Sequence, residues 1–248
     1  MNPRDQAETV MIRLRKAGYN VILEDIEPRP WLFHPDGVLL HHTASTSTVD
    51  IDQEKADVRY LNSSTESWPG PRVQWYVGRT GRIYLLAKGG ANHAGTGELT
   101  EYGIPANQGN AYLWGIEFQS RGLKPDFTNA QWEAGHALTA ELCRVMQVTE
   151  RRVWRHKDYD DDSGKIDTQY PLDQHREAVR AFLQEDEMQA EDFQKIREIV
   201  GEEIDKRVDD IADQAAKTLL GSDLFPKRED IDQSVRKALR EAGKADVV

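Results

Sequence analysis

Short apolar runs alternate with amphipathic stretches as far as residue 183, and a single long stripe replaces them beyond it. In residues 5–17, Val10, Met11, Ile12 and Leu14 form a rough helical stripe that Gly18 stops. Residues 19–23 and 37–42 read as strands, and residues 51–62 as a helix. Residues 73–78 and 83–86 are β-rich runs on either side of Arg79-Thr80-Gly81-Arg82, which predicts a hairpin. Residues 112–120 form another strand, with Trp114, Ile116 and Phe118 on one face and Gly115, Glu117 and Gln119 on the other.

The stretch Thr128-Asn129-Ala130-Gln131 matches a capping box, and Trp132, Gly135, Leu138, Leu142 and Val145 follow at helical spacing. Residues 151–156 make a short strand or loop, and a last helix covers roughly 171–183. Strands interleaved with helices predict an α/β or α+β domain around one sheet. Residues 1–34 form its N-terminal helix-and-strand extension.

From residue 184, Phe193, Ile196, Val200, Ile204, Val208, Ile211, Ala215 and Leu219 step by three or four. That is one apolar stripe on a long charged helix, about 50 Å over residues 186–220. Such a stripe needs cover, from a partner helix or from residues 229–242. The expectation is a second region, 184–248, acting as a coiled coil or as a wall-binding or oligomerisation segment. It holds 18 acidic against 11 basic residues, so most of the chain's net charge of −11 sits there.

That charge argues against a nucleic-acid footprint and against docking on an anionic membrane. No run approaches the roughly 18 apolar residues of a membrane span. The N-terminus lacks the apolar core of a secretion signal, so synthesis in the cytoplasm is expected. The single Cys143 allows no disulfide within the chain and fits that compartment.

Seven histidines are the main source of candidate chemistry. His136 and His175 fall on or near helices and read as surface or packing residues, and His34 is uninformative. His41 and His42 end the apolar run of VLLHHTAS. Strand alternation puts His41 with Leu39 and Thr43 on one face, and His42 with Leu40 on the other, so one regular strand cannot present both to one metal. His156 precedes an acid-rich loop and Lys165-Ile166-Asp167. One histidine of residues 38–45, with His156 and Asp167, would supply the three protein donors of a catalytic zinc site. A calcium loop starting at Asp158 fails, because Ser163 and Gln169 stand where the sharp-turn glycine and the bidentate glutamate belong.

Five collinear blocks then carry a resemblance: VLLHHTAS, WYVGRTGRIY, GGANHAGTG, LWGIEFQS and RHKDYDDDSGKID. Residues 35–183 resemble the zinc-dependent N-acetylmuramoyl-L-alanine amidases, the type 2 amidase family that shares its fold with peptidoglycan recognition proteins. The stretch before the first histidine looks most like bacteriophage endolysins of that family. The resemblance implies an α/β fold with a single mixed central sheet flanked by helices, here followed by the helical tail. It implies Zn2+ held by His41, His156 and Asp167, with Lys165 stabilising an oxyanion, Glu117 as catalytic glutamate and His93 lining the substrate groove. Some members carry a catalytic tyrosine where Val73 stands here, so more of the work falls on Glu117.

The implied substrate is peptidoglycan, cut at the amide between N-acetylmuramic acid and L-alanine. The leading expectation is a phage endolysin, made in the host cytoplasm and acting on the wall after release. A cytosolic muropeptide-recycling amidase, a non-catalytic peptidoglycan-binding protein and a domain tethered to a helical homo-oligomer are the competing readings.

Overall fold

A computed structural model of the chain describes residues 1–29, 32–66, 68–159 and 164–184, together with Val208, Asp209, Ile211 and Lys237. The chain divides into two compact units, Met1–Glu185 and Asp186–Val248. The apolar stripe expected at 193–219 and its cover at 229–242 lie almost wholly outside the described residues.

Helix α1 spans Pro3–Lys16. Asn2 caps it by accepting from the Asp5 N–H, and Pro3 occupies the first turn, where no backbone N–H is needed. Ala7, Val10, Met11 and Leu14 form its buried stripe. Gly18 then adopts a left-handed φ of 91°, which suits glycine and turns the chain into the sheet.

Six strands follow: β1 (Val21–Ile26), β2 (Val38–His42), β3 (Trp75–Val77), β4 (Ile83–Ala87), β5 (Trp114–Phe118) and β6 (Val153–Arg155). They make one sheet in the order β1-β4-β3-β5-β2-β6. Only the β3–β4 pair is antiparallel, so the sheet is mixed. The expected hairpin is present but shorter on its first arm, and its turn closes through Gly78 N–H donating to Arg82 O at 2.9 Å. The expected strand at 112–120 narrows to β5, because residues 109–112 form a helical turn, α3 (Gly109–Tyr112).

Alternation sorts the strand side chains. Val38, Leu40, Trp75, Val77, Trp114, Ile116 and Phe118 face α1 and α4 (Asn129–Met146), and with them form the main core. Tyr76, Tyr84 and Leu86 face the other way, toward Val58 and Leu61 of α2 (Ile51–Asn62). Leu39 packs in a third cluster with Trp154 and Tyr159. The capping box of α4 is half made. Thr128 accepts from the Gln131 N–H, but the Gln131 amide donates to Val77 O and Gln119 O, tying the helix start to the ends of β3 and β5. Residues 172–184 form a further helix, in which His175 is fully buried. Among the described residues no helix is long and apolar enough to cross a membrane.

Candidate metal centre and active site

The site lies at the carboxyl ends of the parallel strands, where open α/β sheets place their ligands. β2 and β5 run in register with His41 beside Glu117, and β3 sets Tyr76 beside Glu117. Leu40 pairs with Arg155 on β6. The chain turns there into the short helix α5 (His156–Tyr159), which brings His156 next to His41. Asp167 lies at the same point. One row of the sheet thus gathers residues more than a hundred positions apart.

Three atoms converge. His41 Nδ1 lies 3.0 Å from His156 Nδ1 and 3.3 Å from Asp167 Oδ2, and His156 Nδ1 lies 2.9 Å from the same oxygen. Among the described residues this is the one group of three or more His, Cys, Asp or Glu side chains close enough to hold a metal. His156 Nε2 is 2.9 Å from Ala94 O, a group that can only accept, so Nε2 carries a proton and Nδ1 is the atom free to bind a metal in the neutral ring. Bare nitrogens and a carboxylate this close repel unless something positive lies between them. Donors on a tetrahedral ion with bonds of about 2.0–2.1 Å stand about 3.3 Å apart, so these spacings fit zinc.

Burial drives the His41 imidazole down to about 4, and the neighbouring His156 pushes the same way. A low value keeps the ring unprotonated and able to bind a metal. Burial alone would raise the Asp167 carboxyl, but the two histidines beside it outweigh that and hold it below its ordinary value. His42 is buried too, on the opposite face and against Gly122, with no partner for its Nδ1 among the described residues.

Glu117 is half-buried on the His41 face. Burial first, then the charges of Asp167 and Asp57, push its carboxyl well above the ordinary range, while Lys165 pulls it back. Lys165 is exposed on the loop before Asp167, and its charge acts on both Glu117 and His41. Val73 is fully buried, with its Cγ2 close to Gly115. The Tyr76 hydroxyl donates to Asp57 Oδ2 at 3.0 Å, and Tyr60 lies under the Arg72 guanidinium at the surface.

His93 is buried beside His41. It is 5% exposed, its Nδ1 is 3.1 Å from His41 Nε2, and its Nε2 is 3.0 Å from Leu113 O. Burial, with His41 and His156 beside it, holds its imidazole well below the ordinary value. His136 and His175 are packing residues, set among Trp132 and Tyr170 in the core. The sequence reading missed the layer behind the donors: Asn110, the Ala94 and Leu113 carbonyls, and Gly115. Backbone carbonyls leave no trace in a sequence. Gly115 did, because a glycine inside an apolar strand marks a close approach.

A family model described as N-acetylmuramoyl-L-alanine amidase matches residues 32–171. No curated protein matches by sequence. Among solved structures, an endolysin N-acetylmuramoyl-L-alanine amidase, LysCS from Clostridium intestinale URNW, aligns at 18% identity and TM-score 0.46, covering 64% of this chain and 95% of its own. A mutant endolysin from Bacillus subtilis aligns at 19% identity and TM-score 0.48, covering 65% and 99%. The Staphylococcus aureus hydrolase AmiA aligns at 14% identity and TM-score 0.44, covering 70% and 89%. The family match takes in more than half of the chain and spans His41, His93, Glu117, His156, Lys165 and Asp167, and on that ground the chain belongs to the N-acetylmuramoyl-L-alanine amidase family.

Proposed function

We propose that this chain is a zinc-dependent peptidoglycan hydrolase that cuts the amide between the lactyl group of N-acetylmuramic acid and L-alanine of the stem peptide. The observation that carries the reading is the convergence of His41 Nδ1, His156 Nδ1 and Asp167 Oδ2, with Glu117 beside them in register. Those three residues would hold the metal. When bound, zinc supplies Lewis acidity that acidifies water and polarises a carbonyl.

The protein's own groups do the rest. Glu117 accepts a proton from the attacking water, whose oxygen bonds to the carbonyl carbon. A carboxylate held above its ordinary range is suited to that task, since a useful base titrates near the working pH. Glu117 then returns the proton to the alanine nitrogen as the C–N bond breaks, leaving a free amine and a lactyl carboxylic acid, which ionises by giving its proton to solvent. The Lys165 ammonium faces the carbonyl oxygen while it carries negative charge. With Val73 where some family members carry a catalytic tyrosine, more of this work falls on Glu117.

The stretch before β2 favours a phage endolysin, made in the host cytoplasm and acting on the wall after release. Residues 184–248 then serve wall binding or self-association. A preparation that clears suspensions of intact walls supports the lysin. Action confined to small soluble muropeptides would replace it with a recycling amidase. Metal analysis of the purified protein distinguishes zinc from ferrous iron, which the same donor set also suits. Light scattering on the full chain tests self-association, and a monomer would refute it.

A further inference from the structure

The two histidine donors share one support, the dipeptide His93-Ala94, which the proposed reaction does not use. Asn110 Oδ1 accepts from both the His93 and Ala94 N–H groups at 2.8 Å and so fixes the dipeptide's backbone. Asn110 Nδ2 in turn donates to Asn92 Oδ1. From this anchored segment, Ala94 O reaches His156 Nε2 at 2.9 Å, and the His93 ring reaches His41 Nε2 at 3.1 Å.

The proton positions follow in order. Leu113 O can only accept, so His93 carries its proton on Nε2. Its Nδ1 is then a lone pair facing His41 Nε2. Two facing lone pairs at 3.1 Å repel, so His41 must carry its own proton on Nε2. The remaining His41 nitrogen, Nδ1, is therefore bare and turned toward His156 and Asp167. β5 makes room for this arrangement at Gly115. A Cβ there would sit 2.9 Å from His93 Cγ and Nδ1 and 2.8 Å from Val73 Cγ2, closer than real Cβ contacts come.

We propose that His93 is a positioning residue: through Leu113 O it fixes the Nε2–H tautomer of His41, and with Ala94 O it presets both histidines as Nδ1 donors before any metal arrives. Partners behind metal ligands typically matter by about 10–100-fold in affinity. The inference rests on the metal reading above, yet its first test needs no metal.

Long-range 1H–15N correlation spectra of the metal-free full chain report which nitrogen of each histidine is protonated. His41 and His93 are expected as single Nε2–H tautomers, and an Nδ1–H form of His41 in the wild type would overturn the proposal. In His93→Leu the His41 signal should become a tautomer mixture, and the Kd for zinc should rise 10–100-fold. His93→Asn should recover most of that affinity, because its Oδ1 can stand where Nδ1 accepted. Gly115→Ala, which displaces the ring without removing it, should weaken zinc binding in the same direction. Unchanged tautomer and affinity in His93→Leu would refute the positioning role. A protein that shows the expected tautomers but binds no zinc would sink the metal reading and leave the tautomer assignment standing.

Discussion

Replacing His41 by alanine should cripple the metal centre, while the same change at His42 should leave it working. The two residues are adjacent and both are buried, at 3% and 8% exposure, so burial alone would not separate them. Their faces do. His41 Nδ1 is one corner of the donor triangle, and His42 lies across the sheet against Gly122. Apparent zinc-binding energies of about 10–16 kcal/mol over four donors give about 3 kcal/mol per donor, or roughly a hundredfold or more in Kd for His41→Ala.

His42→Ala instead removes a packed ring, at about 2–3 kcal/mol. Relief of its unpartnered Nδ1 offsets about 1 kcal/mol of that. The net loss of about 1–2 kcal/mol lowers the Tm by several degrees at this size. Zinc titration against a chromophoric chelator reads the first effect, and thermal melting of the metal-free protein reads the second. A His42→Ala protein that loses zinc while His41→Ala keeps it would mean that β2 is shifted by one residue, which exchanges the faces of every side chain in it.

Glu117→Gln should fold and bind zinc but lose about 10²–10⁴ in kcat, as the loss of a general base typically does; near wild-type turnover would remove Glu117 from the mechanism. Lys165→Ala should likewise keep metal and melting temperature, with kcat down about 10²–10³ and KM little changed. Stability should fall as the pH drops from about 6.5 toward 4. Burial pushes His136 down to about 4 and His175 well below its ordinary value, so in this window the unfolded chain binds protons that the folded chain does not. His136→Phe should flatten that slope in melting curves against pH, and an unchanged slope would refute the assignment.

Much of the site was legible because strand alternation is a strong local rule. It separates His41 from His42, and Glu117 from Trp114, Ile116 and Phe118, before any contact is known. The donor set needed more, because His41 and Asp167 meet across 126 positions and no spacing rule reaches that far. The five collinear blocks supplied it. The same approach could not place His93 in depth. Its position depends on a carbonyl behind it and on the missing Cβ of Gly115, which a sequence motif does not encode. Boundaries slipped for local reasons, as where residues 109–112 form a helical turn ahead of β5. His136 and His175 sit on helices, where a polar residue is usually solvated, but Trp132 and Tyr170 enclose them.

The central claim is metal-dependent cleavage of one particular amide, and its products test it most directly. Purified peptidoglycan incubated with the zinc-loaded full chain should yield stem peptides with a free N-terminal alanine, detected by mass spectrometry after amine labelling. A chelator should abolish the signal, and added zinc should restore it. Digestion that releases no alanine amino groups with zinc present, or that proceeds equally after chelation, would contradict the account.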